Sequence, residues 1–326
     1  MTASSISHAT SPRLSQRTEL GRPDLSVVVV IHNGRDLALA TLESAMASVG
    51  DLAVEWVIVD SGSTDDTPQA IERRWPEIEV MRLPNVGFAA ANNAGFAAAR
   101  GRYLLALNPD TVVRWGRFRA LVDALDARPS VGAASVIQEE SDGSFQSMRR
   151  DPSVARALSE ALLLRKLPGC RRWQERELDQ AAYAEERAAD WLVGAVLALR
   201  REALAEVGGF DERFFMYSEE ADLCRRIRAA GWEVRHLPVM RILHYGGAPN
   251  PRLAAQSSFS RLEYATKHMG PVRARMYRAV LALHHLVRLA GVALRPAQRA
   301  RRAGELRALL VVLGLARPPF GQRADA

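Results

Sequence analysis

Three short polar segments in this 326-residue sequence each follow a mostly apolar run, and each carries groups able to grip a charged ligand. His32-Asn33-Gly34 follows Leu25–Ile31, Asp60-Ser61-Gly62-Ser63-Thr64-Asp65 follows Val54–Val59, and Asn108-Pro109-Asp110 follows Tyr103–Leu107. If the runs are strands of one parallel sheet, the polar segments meet at a crevice beyond the strands' carboxyl ends, where such sheets bind ligands. The alternative is turn chemistry, because Asp, Ser and Gly after a strand also cap the next helix, a role that suits Asp65 and Thr64. Asp60 and Asp110 each close an apolar strand. No glycine cradle of the dinucleotide or P-loop type follows these strands, so a bound phosphate needs its charge neutralised otherwise. Asp110 suits a divalent cation, since hard ions take oxygen ligands and keep phosphate oxygens as partners.

A second group lies in Gly208-Gly209-Phe210-Asp211-Glu212-Arg213-Phe214-Phe215-Met216-Tyr217-Ser218-Glu219-Glu220-Ala221-Asp222. An aromatic-rich turn delivers three carboxylates to a predicted helix start. Acids also favour helix N-termini through the dipole alone. Beside a metal-bound diphosphate, the Glu219-Glu220 pair has the makings of an acid/base site. Glu219 and Asp222, three apart, share a helix face, whereas Glu220 points about 100° away from Glu219.

The elements that must position these residues follow from periodicity. Predicted strands Leu25–Ile31, Val54–Val59, Glu77–Leu83, Tyr103–Leu107 and Val131–Ile137 alternate with predicted helices Asp36–Ser48, Thr67–Trp75, Ala89–Arg100 and Phe118–Ala127. Continuous apolar runs between helices imply a mostly parallel sheet covered on both faces, the α/β class. From Glu139 to Ala188 the rhythm gives way to an Arg-rich stretch with one helix, Val154–Leu167. It resumes with a strand at Trp191–Leu199, a helix at Glu219–Ala230, and short strands at Trp232–Leu237 and Arg241–His244. The chain divides into a polar leader expected to be disordered (1–24), a domain of two halves (25–137 and 138–250) and a basic helical C-terminal extension (251–326).

The net charge of +7 is unevenly placed: from Arg261 onward the balance is +10, and the first 260 residues sum to −3. A basic tail on a weakly acidic body points to an anionic membrane surface and not to nucleic acid. Met276, Val280, Leu283 and Leu286–Val287 have near-helical spacing among Arg273, Arg275, Arg278 and Arg288; ordinary packing on the domain is the alternative. Two cysteines make no disulfide framework or metal spacing, and no run reaches spanning length. The expected location is the cytoplasm, with the tail on the inner face of the cell membrane.

Taken in order, the segments Val27–Asn33, Ile58–Asp65, Asn85–Gly95, Leu107–Thr111 and Gly208–Asp222, with Gly194 before the last and His244 after it, resemble the family-2 inverting glycosyltransferases of GT-A (Rossmann-like) fold, in particular the rhamnosyltransferase-like branch. The resemblance spans Leu25 to Gly247. It implies a nucleotide-sugar site of Ile31, His32, Asn33, Asp60, Asn92, Asn93 and Asn108. It further implies Mg²⁺ or Mn²⁺ on Asp110 with His244 completing the site, Glu220 as catalytic base, and Glu219, Asp222 and Gly194 in support. Read alone, His244 is more often a structural histidine, and only the resemblance turns it toward the metal. Three positions depart from the family pattern: Asn108 for the first acid of an Asp-x-Asp motif, Glu220 for Asp, and His32 for Tyr. The branch implies dTDP-L-rhamnose, or else a UDP-sugar, as donor, and a glycan or polyprenyl-linked acceptor for cell-surface polysaccharide. The alternatives are a sugar nucleotidyltransferase, which usually carries an early Gly-rich loop, or a non-catalytic nucleotide-sugar-binding protein, against which stand both Asp110 and Glu220.

Overall fold

The computed structural model describes residues 21–164, 167, 169–170, 173–246, 251–292 and 298–320. The first half alternates as expected: β1 (Leu25–Ile31), α1 (Arg35–Met46), β2 (Val54–Ser61), α2 (Thr67–Arg74), β3 (Val80–Leu83), α3 (Gly87–Ala98) and β4 (Tyr103–Leu107). There follow β5 (Thr111–Trp115), α4 (Phe118–Asp126), β6 (Val131–Glu140), β7 (Met148–Arg149), α5 (Val154–Ala161), β8 (Arg187–Ala188), β9 (Trp191–Leu192), β10 (Val196–Arg200), α6 (Arg201–Val207), α7 (Glu219–Ala229) and β11 (Glu233–His244). The tail forms α8 (Pro251–His268), α9 (Gly270–Val292) and α10 (Arg299–Val312).

Among the described residues one large sheet runs β3-β2-β1-β4-β10-β6-β11-β5, with β8 on β11, and β7 pairs with β9 in a small second sheet. β1 to β4 are parallel, as are β6 and β11; β10 and β5 run antiparallel to their neighbours. Alternate residues of each strand feed two cores. Val27, Val29, Ile58 and Leu105 pack under Leu42, Phe118, Leu121 and Leu125 of α1 and α4. Val28, Val59, Leu104 and Leu197 pack under Ala89, Phe96, Leu223 and Ile227 of α3 and α7. Helix α3 is built of small residues because it lies close to β1: a Cβ on Gly95 would stand 2.4 Å from Val28 Cγ1.

Several predicted boundaries move. The Asn108–Asp110 segment is a tight connection to β5, which a five-residue apolar-polar mixture did not reveal. The two predicted short strands near the end of the domain are one, β11, with a break in register between His236 and Arg241. The predicted Trp191–Leu199 strand divides at Val193–Ala195 into β9 and β10, which belong to different sheets. The Arg-rich helix stops at Ala161, and Arg165 and Lys166 lie outside the described residues.

Of the leader, residues 1–20 lie outside the described residues; Asp24 is in place, its N–H donating to Ala53 O at 2.9 Å and its carboxylate pairing with Arg102. Nor does the tail begin a detached unit. Lys267 and His268, closing α8, reach back to Asp211 and Asp222. No helix among the described residues is long and apolar enough to cross a membrane.

Candidate functional site

The β1 and β2 ends interlock. Ile31 and Asp60 are register partners, and both are buried. Asp60 Oδ1 accepts from Ser63 N–H at 3.0 Å. Asn33, in the left-handed region at φ 60, uses its side-chain oxygen to accept from Thr64 N–H (2.8 Å) and Asp65 N–H (3.2 Å). Asparagine tolerates that backbone best among residues with a side chain. His32 is exposed, and its Nδ1 lies 2.8 Å from Ser61 O. A carbonyl only accepts, so Nδ1 carries a proton and donates to it. Asp65 does cap α2, accepting from Thr67 N–H and Oγ1–H.

Asp110 and His244, 134 positions apart in sequence, meet because β5 lies antiparallel to β11, pairing Thr111 with His244. His244 Nε2 stands 3.4 Å from Asp110 Oδ1, and Nδ1 lies 3.0 Å from Glu140 Oε1 at the end of β6. Burial alone would lower the imidazole's pKa; the two carboxylates outweigh it and raise it to about 9. Asp110 Oδ1 and Asn108 Oδ1 are both buried without a hydrogen-bond partner. Among the described residues no three His, Cys, Asp or Glu side chains could hold a metal by themselves. The hard donors nonetheless fit Mg²⁺ or Mn²⁺: one carboxylate, one amide oxygen and one imidazole leave positions for diphosphate oxygens, the usual manner in which such ions bind at phosphate sites. Glu140 is the residue that sequence reasoning missed. Its signal was the strand length: β6 continues three residues past its apolar run, carrying Glu140 level with His244.

The acid turn is held from several sides. Phe88 N–H donates to Phe215 O at 2.7 Å, and Gly87, at φ +85, leaves no room for a Cβ, which would stand 2.3 Å from that oxygen. Asn93 donates to Phe210 O and accepts from Phe210 N–H, both at 2.9 Å. Asn92 is buried and donates to Phe88 O. Each asparagine thus gives one amide N–H to a protein carbonyl, Asn92 within α3 and Asn93 to the turn. Tyr217 and Ser218 both take positive φ, 70 and 66, immediately before Glu219. Each such residue costs about 1–3 kcal/mol and persists where packing enforces it, commonly at functional sites.

Within α7 the three acids divide their roles. Asp222 is fully buried; burial would raise its pKa, but bonds from His268, Lys267 and Arg226 hold it below the ordinary carboxylate value. It is a tie between α7 and α8 and does not face the crevice. Glu219 and Glu220 each have Oε2 buried and without a partner. Burial raises both, Glu219 well above the ordinary value with Glu220's charge adding to the effect. Glu220 alone is eased by the Gly194 N–H and the Arg149 charge. Two adjacent carboxyls in a dry site do not both ionise readily. Burial and the charge of Glu220 both push Glu219 toward keeping its proton, whereas the Gly194 N–H and Arg149 favour the charged form of Glu220. Asn108 N–H donates to Ala195 O at 2.9 Å, so the Asp110 loop and the Gly194–Glu220 contact are adjacent links of one chain.

Comparison with known proteins agrees with this geometry. The sequence model described as glycosyl transferase family 2 matches residues 26–207, and one described as the N-terminal domain of galactosyltransferase matches 178–246. The N-acetylglucosaminyl-diphospho-decaprenol L-rhamnosyltransferase of Mycobacterium tuberculosis is 34% identical over 275 residues, 76% of this chain and 89% of that protein. Rhamnosyltransferase WbbL of Escherichia coli K12 is 23% identical over 150 residues, 45% of this chain and 54% of its own. In fold, the chain is similar to a mannosyltransferase from Pyrobaculum calidifontis solved with GDP-Man and Mn²⁺ (TM-score 0.55, 17% identity, 90% of this chain and 87% of that one). It is also similar to GalNAc-T7 solved with UDP, GalNAc and Mn²⁺ (TM-score 0.53, 14% identity, 84% and 58%). The sheet is thus of GT-A type, and a match over more than half the chain settles the family: this protein belongs to glycosyl transferase family 2, as an enzyme of its rhamnosyltransferase-like branch.

Proposed function

We propose that the enzyme transfers a sugar with inversion from a nucleotide-sugar, dTDP-L-rhamnose being the first candidate, to a hydroxyl of a glycan carried on a polyprenyl diphosphate. The observation that carries the reading is the Glu219–Glu220 pair at the start of α7, in which each side chain has a buried Oε2 without a protein partner and only Glu220 is eased toward its charged form by Gly194 N–H and Arg149. A carboxylate with a raised pKa in a dry site is suited to take a proton from an alcohol. As the acceptor oxygen bonds to the sugar carbon, the carbon–oxygen bond to the diphosphate breaks on the opposite face, and the acceptor proton passes to Glu220. A divalent ion held by Asp110, His244 and Asn108 would supply positive charge against the departing diphosphate. His32 and Asp60 flank the pocket where the base and ribose would lie, with Ile31 as its floor and Asn33 fixing the loop between them.

A lipid-linked acceptor resides at a membrane, and α9 has a face to match. Val272, Met276, Ala279, Leu283 and Leu286, spaced four, three, four and three, are all exposed, with exposed Arg273, Arg275 and Arg278 beside them and no acid on the helix. Val280, which the sequence placed on that face, turns inward. An apolar stripe bordered by arginines is the pattern of a helix lying on an anionic bilayer. The test of the function is a donor screen: thermal shift with dTDP-, UDP- and GDP-sugars, with and without Mn²⁺, followed by release of the nucleotide when a polyprenyl-diphosphate-linked sugar is added. Mn²⁺-dependent stabilisation by dTDP-rhamnose and acceptor-dependent release of dTDP are expected. Stabilisation by another donor alone would replace rhamnose, and release without acceptor would replace transfer by hydrolysis.

A further inference from the structure

The small sheet beside the acid pair holds two arginines that the proposed reaction has not used. Arg149 on β7 pairs with Trp191 on β9, and an isolated bridge places Arg176 on its other side. Its guanidinium lies over the Trp191 ring, 5.6 Å from the centroid, and Nη2 donates to Gln146 Oε1 at 3.0 Å. Arg149 Nε is buried and has no hydrogen-bond partner.

Neighbouring arginines are differently placed: Arg150 pairs with Glu177, Arg228 with Asp151, and Arg261 with Glu160 and Glu175. Among the described residues, neither Arg149 nor Arg176 makes an ion pair. Burial and the neighbouring charge of Arg176 hold the Arg149 guanidinium below its ordinary pKa, although the charges of Glu175 and Glu220 act the other way. A buried guanidinium with an open donor is costly unless something fills it.

The position of this pair relates it to the chemistry. β9 leads in two residues to Gly194, whose N–H faces Glu220, and Arg149 acts electrostatically on the same carboxylate. In a sugar carried on a polyprenyl diphosphate, a single ring separates the reacting hydroxyl from the diphosphate. An arginine fork is the protein group best matched to phosphate oxygens, and stacking on an aromatic face preorganises it.

We propose that Arg149, with Arg176 beside it, binds the diphosphate of the acceptor and so sets the acceptor sugar with its hydroxyl at Glu220. This rests on the reading of the acceptor as diphosphate-linked. The donor also carries a diphosphate, and the two sources separate by kinetics.

The experiment measures transfer by the full chain to two acceptors: N-acetylglucosamine on a short-chain polyprenyl diphosphate, and the same sugar on an uncharged alkyl chain. Arg149→Gln is expected to raise KM for the diphosphate acceptor about 10- to 150-fold, the range for losing a hydrogen bond to a charged group. KM for the alkyl acceptor and for the donor should be unchanged. Arg149→Lys, which keeps the charge but not the fork, should fall between, and Arg176→Gln should show a weaker selective rise even if Arg149→Gln folds poorly. Turnover should fall alike on both acceptors, because the Arg149 charge also eases Glu220; an equal rise in KM for both acceptors would overturn the proposal. A rise confined to donor KM would assign the arginines to the donor and overturn it likewise. If the wild type used neither acceptor, the functional reading itself would fall, and the proposal with it.

Discussion

Replacing Glu220 by Gln keeps the side chain's size and its acceptor oxygen but removes its ability to take a proton. Loss of general-base catalysis costs about 10²–10⁴-fold in rate, equivalent to about 3–5 kcal/mol of barrier at 1.36 kcal/mol per tenfold. The structure says where that loss should appear. Glu220 lies in α7 beside Gly194, away from the β1 and β2 ends where the nucleotide is proposed to sit, so kcat should collapse while donor affinity holds. Glu219→Gln should behave differently. Burial and the charge of Glu220 push Glu219 toward keeping its proton, and a Gln there copies a neutral carboxylic acid in shape and charge. Its turnover should stay within about tenfold of wild type, well short of what losing the base would cost. The pH profile offers an independent check. Glu220 must be ionised to act and its pKa is raised by burial, so activity should climb with pH through a point above the ordinary carboxylate range. That limb should survive Glu219→Gln in place and vanish from the residual activity of Glu220→Gln. Steady-state kinetics of all three proteins from acid to neutral pH, with donor affinity measured separately, decides the matter. A dead Glu219→Gln alongside a nearly normal Glu220→Gln would refute the reasoning.

Asp110→Ala should abolish Mn²⁺-dependent donor binding without lowering Tm, read by calorimetric titration with and without the ion. Glu140→Leu should weaken Mn²⁺ binding about 10–100-fold, the usual effect of removing the partner that orients a ligating histidine. Glu140→Gln should retain most of it, with both followed by the paramagnetic signal of the free ion. Asp222→Asn leaves Lys267 and Arg226 facing a neutral group and should cost about 3–5 kcal/mol in urea unfolding. Because the folded-state pKa of Asp222 lies below its unfolded value, its contribution is complete above the unfolded pKa and disappears as pH falls through the folded one, so the wild type–variant gap should close in acid. A chain ending at Gly270, before α9, should lose affinity for phosphatidylglycerol vesicles that the full chain binds, measured by co-sedimentation.

The half of the site built on β1, β2 and β4 was legible in the sequence because each strand is a mostly apolar run followed by a polar segment. Parallel topology alone then brings Ile31 beside Asp60. The approach of His244 to Asp110 was expected only through family resemblance, since nothing local says that β5 and β11 pair. Glu140 lay beyond reach for the same reason: its partner is contributed from 104 residues downstream. The bond from Asn93 to Phe210 was likewise hidden, because polar residues near a ligand crevice look alike in sequence whether or not they also hold a turn 117 positions away. Asp222 illustrates the converse. An acid at a helix start reads as part of an active site, and only the arrival of Lys267 and His268 reveals a buried structural ion cluster.

The reach of α8 back to the acid turn also bears on how the molecule is made. Domains form as their residues leave the ribosome, the N-terminal ones first, and here the turn bearing Glu219 and Glu220 has its last partners far downstream. Lys267 and His268 must emerge before Asp211 and Asp222 are neutralised, and Phe320, which stacks on Phe215 at 5.4 Å, lies close to the end of the chain. Until then three carboxylates crowd one helix start with no counter-charge from α8. The nascent sheet can therefore close before the acid turn is locked, because the residues of α8 that lock it follow later in the chain.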